Sequence, residues 1–294
     1  MGYSVNTLTL LQTMHSKGLL SDVRRVIDLG SQEMHFAARD AASHPYREMI
    51  RQTIELLGGQ KIRDDELDAI SNRAPTSDFY KLIGWEHKAL DADGWYGDPF
   101  DLNLDTVQDD DRGAYCLCMN FGTTEHLIDQ NNAFRVVHDI VRPGGMMLHS
   151  APFLGMVDHG FFSYHPNFFS ALAHFNSYEL LGLWISVTGS SVLLPWNDEI
   201  AKCLKMPADI HDGATIICLL KKQGDLPFCS PFQAGYEQAQ AKENLARYNY
   251  AIDGRLMSGV DAFRHSDRQI ALETYPGVAI LGELIRRIKR RLGL

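Results

Sequence analysis

The chain has 294 residues, about two average domains or one α/β domain with additions. Apolar residues make up 45% and charged residues 22%, enough apolar surface to offset chain entropy, which excludes disorder over most of the length. Lys plus Arg number 28 against 37 Asp plus Glu, and the net charge of −9 excludes a general binder of nucleic-acid backbones, though not a local basic patch.

The opening residues lack the basic start and long apolar stretch of a secretory leader, Asn6 breaks a myristoylation pattern, and no run of 18 apolar residues occurs. A cytoplasmic setting is expected. The five cysteines have no paired framework spacing and read as buried structural thiols; no metal site is expected. Cys116 and Cys118, two apart in an apolar run, should face the same side of a strand.

In chain order, residues 5–18 predict a helix with Leu8, Leu11 and Met14 on one face and Gly18 as its stop. Residues 25–30 predict a buried strand running into a glycine turn. Residues 33–58 are mostly good helix formers, and 61–80 read as a short helix and a loop. A second strand is predicted over 86–90 and a weak third over 99–104. Residues 114–119 give the strongest strand, followed by a helix over 130–141 with Phe134, Val137, His138 and Val141 on one side. Arg142-Pro143-Gly144-Gly145 breaks that helix before a strand over 146–149. A helix over 168–182 and strands over 183–188 and 214–221 complete the pattern. Such alternation predicts a mostly parallel sheet covered on both faces. Composition shifts after Lys222, so the organisation reads as a domain over 1–222 and an extension over 223–294.

The first glycine turn does not fit a dinucleotide fingerprint, because Gln32, not glycine, stands two after Gly30 and the third glycine is missing too. Asp28 sits just before the turn, where a carboxylate repels a pyrophosphate and suits a cationic ligand. Asp91 follows the second strand, where a carboxylate can accept from both hydroxyls of a ribose; Asp93 is a rival. Asp101-Leu102-Asn103 can read an adenine edge, or Asp101 can simply be a turn residue. Asn120-Phe121-Gly122-Thr123-Thr124-Glu125-His126 closes the third apolar strand.

In VIDLGSQ (26–32), LDADG (90–94), FDLN (100–103), FGTTEHL (121–127) and RPGGMMLH (142–149) the chain resembles the class I S-adenosylmethionine-dependent methyltransferases over roughly residues 20–222. The resemblance implies a Rossmann-like α/β fold: a seven-stranded, mainly parallel sheet with helices on both faces. The long gap from Asp28 to Asp91 adds inserted helices at about 33–80, and the chain ends in a helical extension. It implies S-adenosylmethionine as cofactor, leaving S-adenosylhomocysteine, over the carboxyl ends of the strands. Asp28, Gly30 and Ser31 would line the methionine side, Asp91 the ribose, Asp101 and Leu102 the adenine, and Asn120 and Phe121 the sulfonium.

The stretch after the RPGG strand, residues 152–166, holds aromatics together with His159, Tyr164 and His165; it reads as a lid or pocket wall, or as core plus loop. A hydroxyl acceptor needs a base, and His159 is favoured because Asp158 and Gly160 flank it; His126 beside the cofactor loop is the rival. His149, inside a strand, reads as a buried satisfied histidine. The expected function is O-methylation of a small molecule or carbohydrate. N-methylation of a small amine and a non-catalytic nucleotide-binding module are the alternatives, the latter suggested by Gln32. Residues 279–292 (AILGELIRRIKRRL) form a basic amphipathic helix that suits either docking on its own domain or an anionic membrane surface or acidic partner.

Overall fold

The computed structural model describes residues 2–35, 45–58, 60–70, 73–187, 192–197, 200, 213–231, 249–252 and 255–258. The apolar runs become strands: β1 (Arg25–Leu29), β2 (Glu86–Asp91), β3 (Asp98–Pro99), β4 (Tyr115–Phe121), β5 (Val141–Leu154), β6 (Glu179–Val187), β7 (Leu193–Pro195) and β8 (Ala214–Lys221). They form one sheet in the order β3-β2-β1-β4-β5-β8-β6-β7, eight strands where seven are expected. The pairs β2–β3, β1–β2, β1–β4 and β4–β5 are parallel. β8 runs antiparallel to both β5 and β6, so β6 again points with β5, and the edge strand β7 reverses once more. Six of the eight strands therefore share one direction, which is the mostly parallel Rossmann-like α/β architecture that the sequence predicts.

Helices cover both faces because both faces of the sheet are apolar. On one side α1 (Val5–Ser16), α2 (Pro45–Gly58), α3 (Asp64–Ile70) and α4 (Thr76–Ile83) bury Leu8, Leu11, Ile54, Leu67 and Phe79 against Val26, Leu117 and Met119. On the other, α5 (Gln130–Ile140) and α6 (Pro166–Phe175) bury Phe134, Val137, Phe169 and Leu172 against Ile27, Cys118 and Met147. Asp129 caps α5 by accepting the Asn132 N–H at 2.8 Å, and Pro166 opens α6 where a missing N–H costs nothing.

Several boundaries move. The helix expected over 33–58 begins only at Pro45; Glu33 and Met34 instead pair with Pro75 and Tyr3 as isolated bridges, and 36–44 lie outside the described residues. Residues 61–80 hold two helices, not one. The third strand is confined to Asp98–Pro99, because the Asp101 carboxylate accepts the Asn103 N–H at 2.8 Å and folds the chain into a turn. RPGG does not precede its strand but lies within β5, pinned by Gly144 N–H to the Lys222 carbonyl (2.7 Å) and Lys222 N–H to the Gly145 carbonyl (2.9 Å). The helix expected to 182 stops at Phe175, as Ser177 takes a left-handed φ of 53° and β6 starts at Glu179.

Cys116 and Cys118 do not share a face. A bulge between Tyr115 and Leu117 breaks the alternation, so Cys116 packs with the α1–α4 layer and Cys118 with the α5–α6 layer. Cys229 is exposed and Cys203 lies outside the described residues. Beyond Lys222 the chain crosses α5 and α6, with His138 Nε2 2.7 Å from the Leu226 carbonyl and the Asn176 amide bonded to Cys229. The extension also contains strands, the antiparallel pair β9 (Asn249–Ile252) and β10 (Arg255–Ser258), where few were expected. The basic segment 279–292 lies outside the described residues, among which no helix is long and apolar enough to cross a membrane.

Candidate functional site

The sheet order reverses between β1 and β4, and the carboxyl ends of the strands at such a reversal are the usual ligand position in open α/β sheets. Gly30 starts the β1 loop with φ +74°, and a Cβ there would lie 2.5 Å from Thr123 Oγ1 on the β4 loop. Glycine is thus required twice, by conformation and by space. Thr123 donates in turn to the Leu29 carbonyl at 2.5 Å. Gln32 is buried, its amide nitrogen bonded to that same carbonyl (3.1 Å) and to Thr123 Oγ1 (3.3 Å), while its Oε1 is buried without a partner among the described residues.

The Ser31 N–H donates to one oxygen of Asp91, at the end of β2, and Ser31 Oγ accepts the Tyr96 N–H at 3.1 Å. The loops after β1 and β2 are therefore tied together with the Asp91 carboxylate between them. Its rival Asp93 is exposed and accepts the Trp95 N–H of its own turn at 2.9 Å. Asp101 is half-buried and bonded to Asn103, beside the buried Leu102. Asn120 is buried at the end of β4; its amide donates to Thr124 Oγ1 and to His149 Nδ1, each at 3.0 Å, and its Oδ1 has no partner among the described residues. Burial pushes His149 down to about 3, so the ring is neutral and its Nδ1 accepts. Phe121 packs on Tyr3, their rings 5.4 Å apart.

Asp28 has a different place from the one expected. Its carboxylate is fully buried and accepts from Tyr3 OH (2.6 Å), Thr76 OH (2.5 Å) and His87 Nε2 (2.9 Å). With these three partners and no exposed surface, it holds α4, β2 and the amino-terminal segment onto β1 and does not line the ligand position.

The loops after β4 and β5 meet at Glu125. This residue is fully buried in the turn Thr124–His126, and its carbonyl accepts the Phe161 and Phe162 N–H groups at 2.7 and 3.1 Å. Gly160, with φ +66°, lies so close that a Cβ would be 2.9 Å from Glu125 Cγ. His159 Nε2 is 3.0 Å from Glu125 Oε1, and His126 Nε2 is 4.0 Å from the same oxygen. The two imidazoles stand edge-on with centroids 5.0 Å apart. Glu125 Oε2 is buried without a partner among the described residues. The carboxylate that orients His159 is thus Glu125, not its neighbour Asp158.

Tyr164 makes no hydrogen bond or ring contact with either histidine, but its phenol lies beside Thr124 and Glu125. It is buried among Phe134, Phe168 and Phe169, its hydroxyl donates to Gln130 Oε1, and burial pushes the phenol well up, so it stays protonated. His165 is an exposed residue at the start of α6, against Phe153.

Large exposed apolar side chains crowd this edge. Trp95 and Tyr96 follow β2 as a stacked pair 4.6 Å apart, Leu104 follows β3, Ile128 follows β4, and Val157, Phe161 and Phe162 follow β5. Elsewhere among the described residues only Leu56 and Leu226 are comparably exposed. Such clustering at one edge marks a binding face.

No family model matches the chain, and no curated protein does. Among solved structures, the chain is similar to the 1,6-didemethyltoxoflavin-N1-methyltransferase of Burkholderia thailandensis, which carries 1,6-didemethyltoxoflavin and S-adenosylhomocysteine (9% identity, 74% of this chain and 80% of that one, TM-score 0.39). It is also similar to an O-methyltransferase from a trans-AT PKS multienzyme of Brevibacillus brevis in complex with S-adenosylhomocysteine (11% identity, 95% of this chain and 82% of that one, TM-score 0.39). At such identities and scores the site is read from its own residues.

Proposed function

We propose that this chain is a class I S-adenosylmethionine-dependent methyltransferase that methylates an oxygen of a small, largely apolar molecule or a carbohydrate. The observation that carries the reading is the pairing of two features at the carboxyl ends of the strands: the Asp91 carboxylate tied to the β1 loop and the Glu125–His159 pair on the β4 and β5 loops.

The residues present fit the cofactor. Asp91 keeps one carboxylate oxygen without a hydrogen bond among the described residues, suited to ribose hydroxyls. Leu102 and Phe121 give apolar walls. Bound there, S-adenosylmethionine supplies a methyl group on a sulfonium.

The chain's own part is alignment, exclusion of water and proton removal. With its Nε2–H donated to Glu125, His159 carries its lone pair on Nδ1, which takes the acceptor's hydroxyl proton. The Glu125 oxygen that accepts this N–H fixes that tautomer and orients the ring. The exposed aromatics of the β2 and β5 loops suit an apolar acceptor. An oxygen acceptor is favoured over an amine because a free amine already has its lone pair and needs no such base.

Titration calorimetry with S-adenosylhomocysteine tests the cofactor half. Asp91→Ala is expected to weaken binding by about 1–3 kcal/mol, the loss of a charge-assisted partner; no binding by the parent chain refutes the reading. His159→Ala is expected to bind the cofactor normally and lose about 10²–10⁴ in turnover on a hydroxyl acceptor. Unchanged turnover would favour the amine.

A further inference from the structure

We propose that Glu125, His126 and His159 form a binding site for a divalent transition-metal ion of the zinc class. Their ligand atoms, one from each residue, all lie within 4.8 Å of one another. Two imidazoles and one carboxylate form a donor set that suits zinc and its neighbours in the first transition row, and it leaves further coordination positions open. Donors at about 2.0–2.2 Å from one ion sit roughly 3–3.5 Å apart. His159 and Glu125 already meet that spacing at 3.0 Å, and His126 at 4.0 Å reaches it by a small swing of an exposed side chain.

An independent observation points the same way. Glu125 is fully buried, yet Oε2 has no hydrogen-bond partner among the described residues. A buried carboxylate oxygen left bare is costly, and a cation held by both oxygens of Glu125 removes that cost. The other buried carboxylate–histidine contact shows the contrast: both oxygens of Asp28 are filled by Tyr3, Thr76 and His87, and nothing is left to bind. The frame at Glu125 is also built. Phe161 and Phe162 hold its carbonyl, Gly160 presses on its side chain, and the His126 N–H donates to the Thr123 carbonyl at 3.1 Å.

Coordination uses the Nε2 lone pair of His159, whereas donation to Glu125 uses an Nε2–H. The ion and that proton are therefore alternatives at Nε2, and binding moves the ring proton to Nδ1. This inference rests on the proposed methyl transfer only for the consequence that an ion here displaces the hydrogen bond that orients the base; the binding itself needs no cofactor.

The test is titration of the chelator-stripped full chain with zinc chloride, followed by calorimetry, with Glu125→Gln and His126→Ala alongside. One ion per chain is expected, weakened at least about 10-fold in each variant, since even outer partners of a metal site cost that much. His126→Ala is the discriminating variant, because the base mechanism assigns His126 no role. Its side chain is half exposed, so the substitution keeps the test open should Glu125→Gln fail to fold. No zinc binding by the parent chain, or binding indifferent to His126→Ala, overturns the site. A parallel titration with S-adenosylhomocysteine separates the two readings: its failure alone refutes the methyltransferase and leaves the metal site standing.

Discussion

Tyr3→Phe should destabilise the fold while sparing ligand binding, and the expectation follows from where Asp28 sits. The Tyr3 hydroxyl is 2.6 Å from Asp28 Oδ1 and 2.7 Å from Tyr80 OH, and all three residues are fully buried. Burial, and after it the Asp28 charge, push the Tyr3 phenol up, so it remains a donor at any ordinary pH. The substitution deletes one of three donors to a buried carboxylate and leaves the ring in place, so no large cavity forms. A hydrogen bond to a charged group contributes about 1.5–3 kcal/mol. For a domain of this size each kcal/mol moves Tm by about 2–4 °C, giving a fall of roughly 3–12 °C. Urea and thermal unfolding measure the loss, and calorimetry with S-adenosylhomocysteine measures the ligand. If the loss is below about 0.5 kcal/mol, or if ligand affinity falls as far as in Asp91→Ala, then Asp28 belongs to the ligand and the structural account is wrong.

Gly30→Ala should cost about 1–2 kcal/mol for the left-handed φ alone, more from the contact with Thr123, and should weaken S-adenosylhomocysteine; intact affinity in a folded variant would remove this loop from the site. His149, pushed down to about 3, stays neutral when folded while the unfolded chain takes up a proton below about 6.5, so its contribution to stability is full above that pH and declines as pH falls toward 3, by up to about 1.4 kcal/mol per unit. Unfolding free energies at pH 7 and 5 should diverge less in His149→Gln; parallel profiles would refute it.

The sheet was legible because its strands are short apolar runs at parallel-sheet spacing. Elements decided by contacts far along the chain were less legible. Proline and two glycines in 142–145 signal a break, yet the bonds of Gly144 and Gly145 to Lys222 keep them inside β5. Alternation predicts one face for Cys116 and Cys118, and a bulge against β5 undoes it. Asp28 stands where a ligand acid is expected, but Tyr3, Thr76 and His87 arrive from elsewhere in the chain and enclose it.

The same physics explains why Asp158 was the wrong partner for His159. β4 and β5 are parallel neighbours, with Asn120 opposite His149 and Phe121 opposite Ser150. Parallel pairing sets both carboxyl ends at one edge, although a whole helix separates them in sequence. Gly122 N–H donates to the Ser150 carbonyl at 3.1 Å, so the two loops leave side by side. The β4 loop then buries Glu125, and the β5 loop, turned back by Gly160, lays His159 over it. A base oriented by an adjacent residue would depend on one loop's conformation. One oriented across two loops depends on the β4–β5 pairing that sets those loops side by side, and Glu125, which the pairing brings to His159, holds the imidazole.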